Sequence, residues 1–409
     1  MDENLIYKNH SLFLDEISFK EIYEEFGSPC YIYSQKTILN NLKRYQDSLK
    51  NRGLLCFSVK ANSNTNILKL ISDQGVGFDV VSGGELAKVL YAGAKPDKII
   101  FSGVGKSDEE LIMAMRNGIK SINIESISEL NRIKLLSKDS EFNPNISLRL
   151  NPDVKIDTHP FLETGLKENK FGINQDEVEE CAKIIRNNKS LNLVGLAFHI
   201  GSGIENFEQL KPALDITKKV YKSLSNFFDL KIVDIGGGLS HEESISEDLI
   251  KVVIENVLDE IPKTSQLIVE PGKSVISKAG FLLTRVQYVK KRKKNIVVVD
   301  AAMNDMIRVA LYGAKHEIIN ISHSKKINKT STIVGPICES SDTFDDNSSI
   351  KADEGDILVI SDVGAYGFSM SSNYNSRLRP PEVLVSNGEA RLIRKRESIE
   401  MLINNEKNV

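Results

Sequence analysis

The sequence predicts an α/β fold, a (β/α)8 barrel of the TIM type, together with a second, all-β domain. Strand-like and helix-like segments alternate eight times between residues 54 and 280, and strand-like segments predominate after that point. A chain of 409 residues is long enough for two domains. We expect the barrel in residues 29–280 and a β domain built from residues 1–28 together with 281–409.

Eight short apolar segments, rich in Val and Ile, are expected to form the barrel. Their nearly continuous hydrophobicity is typical of parallel strands that are buried on both faces. They span residues 54–60, 77–82, 99–103, 121–126, 146–151, 193–200, 231–238 and 266–272. Helical segments between them open with Ser and, three residues later, Glu, which predicts capping boxes at Ser82/Glu85, Ser107/Glu110 and Ser126/Glu129. A doubly wound open sheet is the alternative arrangement.

The part of the chain after residue 280 predicts a β domain. Residues 281–289 and 295–300 are expected to pair as a hairpin across the basic turn 290–294. Further strands are expected at 356–361, 383–386 and 390–394, and Asn387-Gly388 between the last two is a strong hairpin signal. Short β-like pieces in the first 28 residues could join the same sheet.

Composition narrows the classes of function. The net charge is −3, and the one basic run, residues 290–294, is short and is interpreted as a solvated hairpin turn, so we expect no nucleic-acid partner. The four cysteines are scattered and the six histidines form no H-E-x-x-H pattern, so no metal site is expected. The polar N-terminus and the lack of a run of about 20 apolar residues favour a cytoplasmic protein without membrane association.

Reactive and polar residues follow the predicted strands at their carboxyl ends, where barrels carry their functional groups. Lys60 is the residue type that forms a Schiff base, although a lysine at the barrel rim is an equally ordinary interpretation. The triplet Gly236–Gly238 would let backbone N–H groups approach a phosphate, and Ser202 could add a hydroxyl. The ring of His199 could stack on an aromatic cofactor, and Glu270 could keep a pyridine nitrogen protonated. Taken singly, these residues could equally be a tight turn, a core histidine and a capping carboxylate.

Nine motifs in order resemble those of the diaminopimelate decarboxylases, which are pyridoxal-phosphate (PLP) enzymes with an alanine-racemase-like fold. The resemblance covers nearly the whole chain. The motifs are SVKAN (58–62), DVVSGGEL (79–86), TGLKENKFGI (164–173), HIGS (199–202), DIGGGL (234–239), EPGKS (270–274), MNDMIR with Tyr312 (303–308), CES (338–340) and DVGAYGFSMSSNYN (362–375).

The resemblance implies a lyase that decarboxylates meso-2,6-diaminopimelate to L-lysine and CO2, the last step of lysine biosynthesis. Lys60 would bind PLP covalently, and His199 would stack on its ring. The other cofactor-binding residues implied are Asp79, Ser202, Gly236, Gly237, Gly238, Glu270, Gly272, Lys273 and Tyr366.

The resemblance also implies how the substrate would be recognised. Lys273, Arg308, Tyr312 and Tyr366 would bind its far end, Glu339 would take its far ammonium, and Cys338 would donate the proton. Cys338 and Glu339 would come from the partner subunit, which implies a homodimer with shared active sites.

Three positions depart from the family pattern. Lys273 stands where arginine is usual, Val309 where proline is common, and Lys315 where an aromatic residue is common. Lysine offers a single charged group, whereas arginine offers two parallel N–H donors, so Lys273 is expected to change the affinity for the far carboxylate more than the type of reaction. Decarboxylation of ornithine, arginine, a D-amino acid or carboxynorspermidine is the alternative within this fold, followed by a racemase and a non-catalytic PLP-binding protein.

Overall fold

The computed structural model describes residues 5–8, 11–138, 142–154, 169–240, 249–321 and 326–407. The chain divides into two compact units, one of residues 42–274 and one of residues 1–41 with 275–409. Residues 29–41, expected in the barrel domain, group with the second unit because a strand at Cys30–Ser34 pairs with β strands there. The predicted domain limits therefore remain a proposal.

The N-terminal segment forms a small sheet of its own. Strands β1 (Leu5–Lys8), β2 (Ser11–Leu14) and β3 (Ile17–Ser18) are antiparallel neighbours. Among the described residues these strands do not pair with the large sheet, so the suggestion that N-terminal pieces could join that sheet was wrong. Helix α1 (Phe19–Phe26) follows, with a complete capping box between Ser18 and Glu21. Strand β4 (Cys30–Ser34) and helix α2 (Gln35–Leu49) come next.

The eight predicted barrel strands are confirmed, and they close into a parallel barrel in chain order. They are β5 (Gly53–Ser58), β6 (Gly77–Val80), β7 (Ile99–Phe101), β8 (Ser121–Ile124), β9 (Asn145–Arg149), β10 (Asn192–Ala197), β11 (Ile232–Asp234) and β12 (Gln266–Val269). Each ends a few residues before the predicted end, as β5 does at Ser58 rather than Lys60. The candidate residues therefore lie on the turns that follow the strands.

Amphipathic helices connect the strands. They are α3 (Thr65–Asp73), α4 (Gly83–Tyr91), α5 (Asp108–Arg116), α6 (Ile127–Lys138), α7 (Val178–Arg186), α8 (Phe207–Leu224), α9 (Leu249–Glu260) and the short α10 (Lys273–Ile276). Only Ser107/Glu110 of the three predicted capping boxes forms both hydrogen bonds. The carboxylates of Glu85 and Glu129 accept from the N–H groups of Val81 and Glu125 instead, one residue farther back.

The remaining chain is mainly β structure. Strands β13 (Gly280–Lys290), β14 (Asn295–Val299), β15 (Ile318–Asn320), β16 (Lys326–Val334), β17 (Thr343–Ile350), β18 (Ile357–Ile360), β19 (Glu382–Ser386) and β20 (Glu389–Arg394) accompany helices α11 (Arg308–Tyr312) and α12 (Ile399–Ile403). The eight strands and β4 form a nine-stranded sheet. Seven of its strands follow the order β17-β16-β14-β13-β4-β19-β20, and β18 pairs with β13 and with β15. The two predicted hairpins are present, and Asn387 and Gly388 adopt φ angles of 51° and 77°.

A single apolar core joins the two sheets of this unit. Leu12 and Leu14 of the small sheet pack with Phe281, Val359 and Val383 of the large sheet. Their burial explains why β strands of only two to four residues are stable at the N-terminus. Among the described residues, no helix combines the length and apolar character needed to cross a bilayer.

Candidate active site

Lys60 lies at the mouth of the barrel, in a short 3-10 turn that directly follows β5. Its Nζ atom is 3.8 Å from Oδ2 of Asp79, a buried carboxylate on β6. The hydroxyl of Ser58 lies 2.9 Å from that same Oδ2 and 2.9 Å from the backbone carbonyl oxygen of Glu270. Ser58, which the sequence did not single out, thus connects the ends of β5, β6 and β12.

Three buried carboxyl groups, Asp79, Asp234 and Glu270, share this mouth. Burial, together with the neighbouring charges of Asp234 and Asp79, raises the pKa of Glu270 well above its ordinary value. Burial also raises the pKa of Asp234, to about 6. The N–H of Gly236 donates a hydrogen bond of 2.9 Å to its carboxylate, which lowers the pKa and so opposes part of that rise. Oε1 of Glu270 and Oδ1 of Asp79 are buried and have no hydrogen-bond partner among the described residues. Such atoms are costly unless a ligand supplies a donor.

His199 follows β10 and is held as a neutral ring. Burial lowers its pKa well below the ordinary value, and the positive charges of Lys60 and Arg149 act in the same direction. A Cβ atom on Gly236 would lie 2.7 Å from Nδ1 of His199, so the glycine leaves the space that this ring occupies. The side of the barrel mouth at His199 therefore presents a flat, uncharged aromatic surface.

The glycine triplet passes closer to its neighbours than any side chain would allow. A Cβ atom on Gly237 would lie 2.3 Å from the carbonyl oxygen of Glu270, and one on Gly238 would lie 1.9 Å from that of Gly201. The carbonyl oxygen of Gly238 accepts hydrogen bonds of 2.9 Å from the N–H groups of Gly203 and Ile204. The triplet and the loop that carries Ser202 are thereby fixed as one backbone cradle.

Two further acidic residues near the mouth were not predicted as site residues. Glu85 lies in the first turn of α4, and burial raises its pKa to about 7, while the charge of Lys60 opposes that rise. Glu125 lies 2.6 Å from Arg149 through Oε1 and Nη1, and its Oε2 accepts from the N–H of Gly172 at 2.9 Å. Both glutamates were visible in the sequence, but only as parts of capping or strand patterns.

The segment after β12 completes the barrel side of the site. Gly272 packs against the turn of Lys60, since a Cβ atom there would lie 2.9 Å from Cβ of Ala61. Lys273, partly buried, begins α10. Lys60, Asp79, His199, Ser202, the triplet, Glu270 and Gly272 are thus all on turns or strand ends at the carboxyl end of this barrel. The first five residues of the TGLKENKFGI motif, 164–168, lie outside the described residues.

Arg308, Tyr312 and Tyr366 form a second group, within the β unit. Arg308 is buried at the start of α11, and burial lowers its pKa, while Tyr366, Tyr312 and Asp362 oppose that shift. Asp362 and Tyr366 adopt left-handed φ angles of 58° and 59°, which is unusual for residues with side chains. A buried guanidinium is a group that can receive an anionic group of a ligand.

Cys338 and Glu339 lie in the turn between β16 and β17, and both are exposed. The hydroxyl of Tyr374 donates to Oε1 of Glu339, and Ser341 lies 3.2 Å from Oε2 through its hydroxyl. The other three cysteines, Cys30, Cys56 and Cys181, are buried. Over the described part of the chain, no group of three or more His, Cys, Asp or Glu side chains could hold a metal ion.

Comparisons with known proteins agree on one family. The family model described as "Pyridoxal-dependent decarboxylase, pyridoxal binding domain" matches residues 35–277. A diaminopimelate decarboxylase of Neisseria meningitidis serogroup A is 41% identical over 97% of this chain and 99% of its own.

Solved structures give the same result. The chain is similar to diaminopimelate decarboxylase from Helicobacter pylori complexed with L-lysine, with a TM-score of 0.91 and 38% identity, covering 95% of this chain and 99% of that one. It is also similar to the M. jannaschii enzyme in complex with L-lysine, with a TM-score of 0.91 and 34% identity, over 99% and 98% of the two chains.

Proposed function

The chain belongs to the diaminopimelate decarboxylase family of pyridoxal-dependent decarboxylases, and we propose that it converts meso-2,6-diaminopimelate to L-lysine and CO2. This reaction would be the last step of lysine biosynthesis. The observation that carries the proposal is the grouping of Lys60, His199, the glycine cradle and Glu270 at the mouth of one barrel, in a chain whose full length is similar to such enzymes.

The barrel mouth fits PLP. Lys60 supplies the amine that would bind the cofactor. Oε1 of Glu270 is a buried oxygen without a hydrogen-bond partner in the described part of the chain, so a protonated pyridine nitrogen could donate to it. The Gly236–Gly238 cradle and Ser202 would hold the phosphate. When bound, the cofactor supplies an electron sink for the electron pair that CO2 leaves behind.

The chain's own groups prepare this chemistry. Glu270 would change from its protonated form to a carboxylate when a cation lies against it, because the opposite charge offsets the cost of burial. His199, neutral because of burial and of two nearby cations, would present its ring without repelling a protonated cofactor. Asp79, 3.8 Å from the Lys60 amine, would stabilise the positive charge of that amine whenever the amine is not bound to the cofactor.

Recognition of the far end of the substrate would select diaminopimelate. Arg308 with Tyr312 and Tyr366 would receive the far carboxylate with help from Lys273, and Glu339 would receive the far ammonium. Lysine and ornithine lack the second carboxylate, so the groups of the site that would bind it would lose their partner. That loss penalises the wrong substrate more strongly than a change of length would.

We further propose that Cys338 delivers the proton that replaces CO2, and that the working enzyme is a homodimer. Cys338 and Glu339 would then serve the active site of the partner subunit. An exposed position in a turn of the single chain is consistent with residues that act on a second copy. A biosynthetic role of this kind would place the protein in the cytoplasm.

A substrate panel tests the assignment. Holoenzyme is supplied with meso-diaminopimelate, ornithine, arginine, lysine, D-amino acids and carboxynorspermidine, and kcat/KM is measured for each by CO2 release. We expect diaminopimelate to exceed every other compound by about a hundredfold or more. A larger kcat/KM for another amino acid would show that the proposed substrate is wrong but the proposed reaction class is right. Cofactor binding without turnover of any compound would indicate a non-catalytic PLP-binding protein.

A further inference from the structure

The turn that carries Cys338 and Glu339 is fixed at its base by a buried carboxylate. Oδ2 of Asp342 accepts from the N–H of Ile337 and Oδ1 accepts from the N–H of Met303, both at 2.7 Å. Asp342 is 3% exposed. The base of the turn is therefore held by two charge-assisted hydrogen bonds inside the unit, and only its tip needs further support.

The tip of the turn is held by two consecutive residues of a distant loop. The hydroxyl of Tyr374 donates to Oε1 of Glu339. The side-chain oxygen of Asn375 accepts from the N–H of Cys338 at 3.3 Å. We name this pair, Tyr374 and Asn375, the tip clamp. One residue of the clamp holds a side chain, and the other holds the backbone of the adjoining residue.

The backbone of the clamp adopts an uncommon conformation that aims both side chains. Asn375 has a φ of 54° and Ser376 a φ of 56°, both in the left-handed region. Asparagine tolerates that region better than most residues do. A left-handed conformation raises the free energy of the local backbone, and it occurs where the chain must turn sharply. Here the turn directs Tyr374 and Asn375 to the same two-residue tip.

Glu339 keeps acceptor capacity although both of its oxygens have donors. Tyr374 donates to Oε1, and the hydroxyl of Ser341 lies 3.2 Å from Oε2. An ionised carboxylate has about four acceptor positions, so two neutral donors orient it and leave acceptor positions for a ligand. A carboxylate oriented in this way can receive an ammonium group without first losing rotamer freedom.

We propose that Tyr374 and Asn375 are positioning residues that orient Glu339 and Cys338, and that they set the affinity of the enzyme for a ligand with a far-end ammonium. The inference rests on the proposed function for the identity of that ligand. It adds to the recognition apparatus two residues that act through Cys338 and Glu339.

The first test measures binding of two probes to holoenzyme. L-Lysine carries an α-ammonium, and 6-aminohexanoate is the same molecule without it. In Tyr374→Phe we expect the dissociation constant of lysine to rise about tenfold, because Glu339 loses one hydrogen bond to its charged carboxylate. The dissociation constant of 6-aminohexanoate should stay unchanged. Tyr288→Phe, at an exposed tyrosine of β13, is the matched control and should change neither.

The second test does not depend on the substrate. Cys338 is the exposed cysteine, so its alkylation by iodoacetamide can be followed by mass spectrometry. Asn375→Gly tolerates the left-handed backbone and removes the acceptor, so we expect alkylation to become at least about threefold faster as the tip opens. Asn387→Gly, at a φ of 51° in the β19–β20 turn, is the control for added chain flexibility.

The outcomes separate the clamp from the proposed function. Equal weakening of both probes in Tyr374→Phe, or no weakening, would overturn the proposal, as would an alkylation rate in Asn375→Gly equal to that of Asn387→Gly. If wild-type enzyme binds no lysine and releases no CO2 from diaminopimelate, the proposed function fails. The alkylation comparison would then still decide whether the clamp holds the tip.

Discussion

The amine of Lys60 lies 3.8 Å from the carboxylate of Asp79, and the two side chains differ in their access to solvent. Asp79 is 1% exposed, whereas the Lys60 side chain is 43% exposed. The barrel thus holds a negative charge behind an amine that a small molecule can reach. A rim lysine that served solubility alone would need no buried carboxylate beside it.

Replacing Glu270 with glutamine should reduce turnover while leaving cofactor binding largely intact. Glutamine has the same shape but cannot become a carboxylate, so the ring nitrogen loses the negative charge that favours its protonation. We expect kcat to fall by about a hundredfold or more, with the visible absorbance of the bound cofactor retained. Wild-type kcat in this variant would show that another group keeps the ring protonated.

The cofactor-free protein should lose stability as pH rises through the pKa of Asp234. Burial raises this pKa from 3.8 to about 6, so the folded state binds a proton that the unfolded state has released between about pH 4 and 6. The stabilisation is complete below pH 4 and is lost as pH passes 6. It amounts to roughly 2–3 kcal/mol for a fully buried group.

Denaturant unfolding at pH 4, 5, 6 and 7 checks this linkage, with Asp234→Asn as the comparison. The asparagine keeps an oxygen for the N–H of Gly236 but cannot titrate. The free energy of unfolding should therefore fall less with pH in the variant. Both proteins carry Glu270→Gln as well, because the charge of Asp234 helps to raise the pKa of Glu270. Glu85 and Asp305, whose pKa values burial raises to about 7, lower the stability with pH equally in both proteins, so their effects cancel. Identical slopes would contradict the assignment of Asp234.

Replacing Lys273 with arginine should improve substrate binding. Arginine offers two parallel N–H donors to a carboxylate, whereas lysine offers a single charged point. We expect activity to be kept and KM for diaminopimelate to fall about three- to tenfold. Steady-state kinetics decide the matter, and a loss of kcat would mean that this position has a different task in this chain.

Mixing two inactive variants tests the shared active site. Lys60→Ala removes the cofactor lysine and Cys338→Ala removes the proton donor. If each site takes these residues from different subunits, random hybrids contain one intact site, and about a quarter of wild-type activity should return after subunit exchange. A mixture that stays as inactive as its parents would place both residues in the same subunit's site.

The barrel was predictable because its strands leave a strong local pattern. Residues 54–57, for example, are apolar throughout, and this pattern does not depend on what they contact. The polar strands β16 and β17 were not predicted, because sequences such as Thr343–Ile350 are rich in Asp and Ser and resemble a loop. Strands of two to four residues near the N-terminus carry too little pattern to reveal their partners.

The residues of the candidate site likewise divide into those that the sequence predicts and those that only the structure reveals. Lys60, His199 and Glu270 end predicted strands, so barrel geometry brings them together. Ser58 and Tyr374 could not be found in this way, since the first is visible only through its bonds to Asp79 and Glu270. The second depends on a pairing with Glu339 across 35 residues of sequence. Contacts of this kind follow from three-dimensional packing and leave no spacing in the chain.

The most direct measurement is the conversion of meso-diaminopimelate by purified protein loaded with PLP, with CO2 and L-lysine quantified together. We expect the two products to appear in equal amounts, and Lys60→Ala to form neither. Protein that carries PLP on Lys60 but releases neither product from diaminopimelate would contradict the assigned reaction.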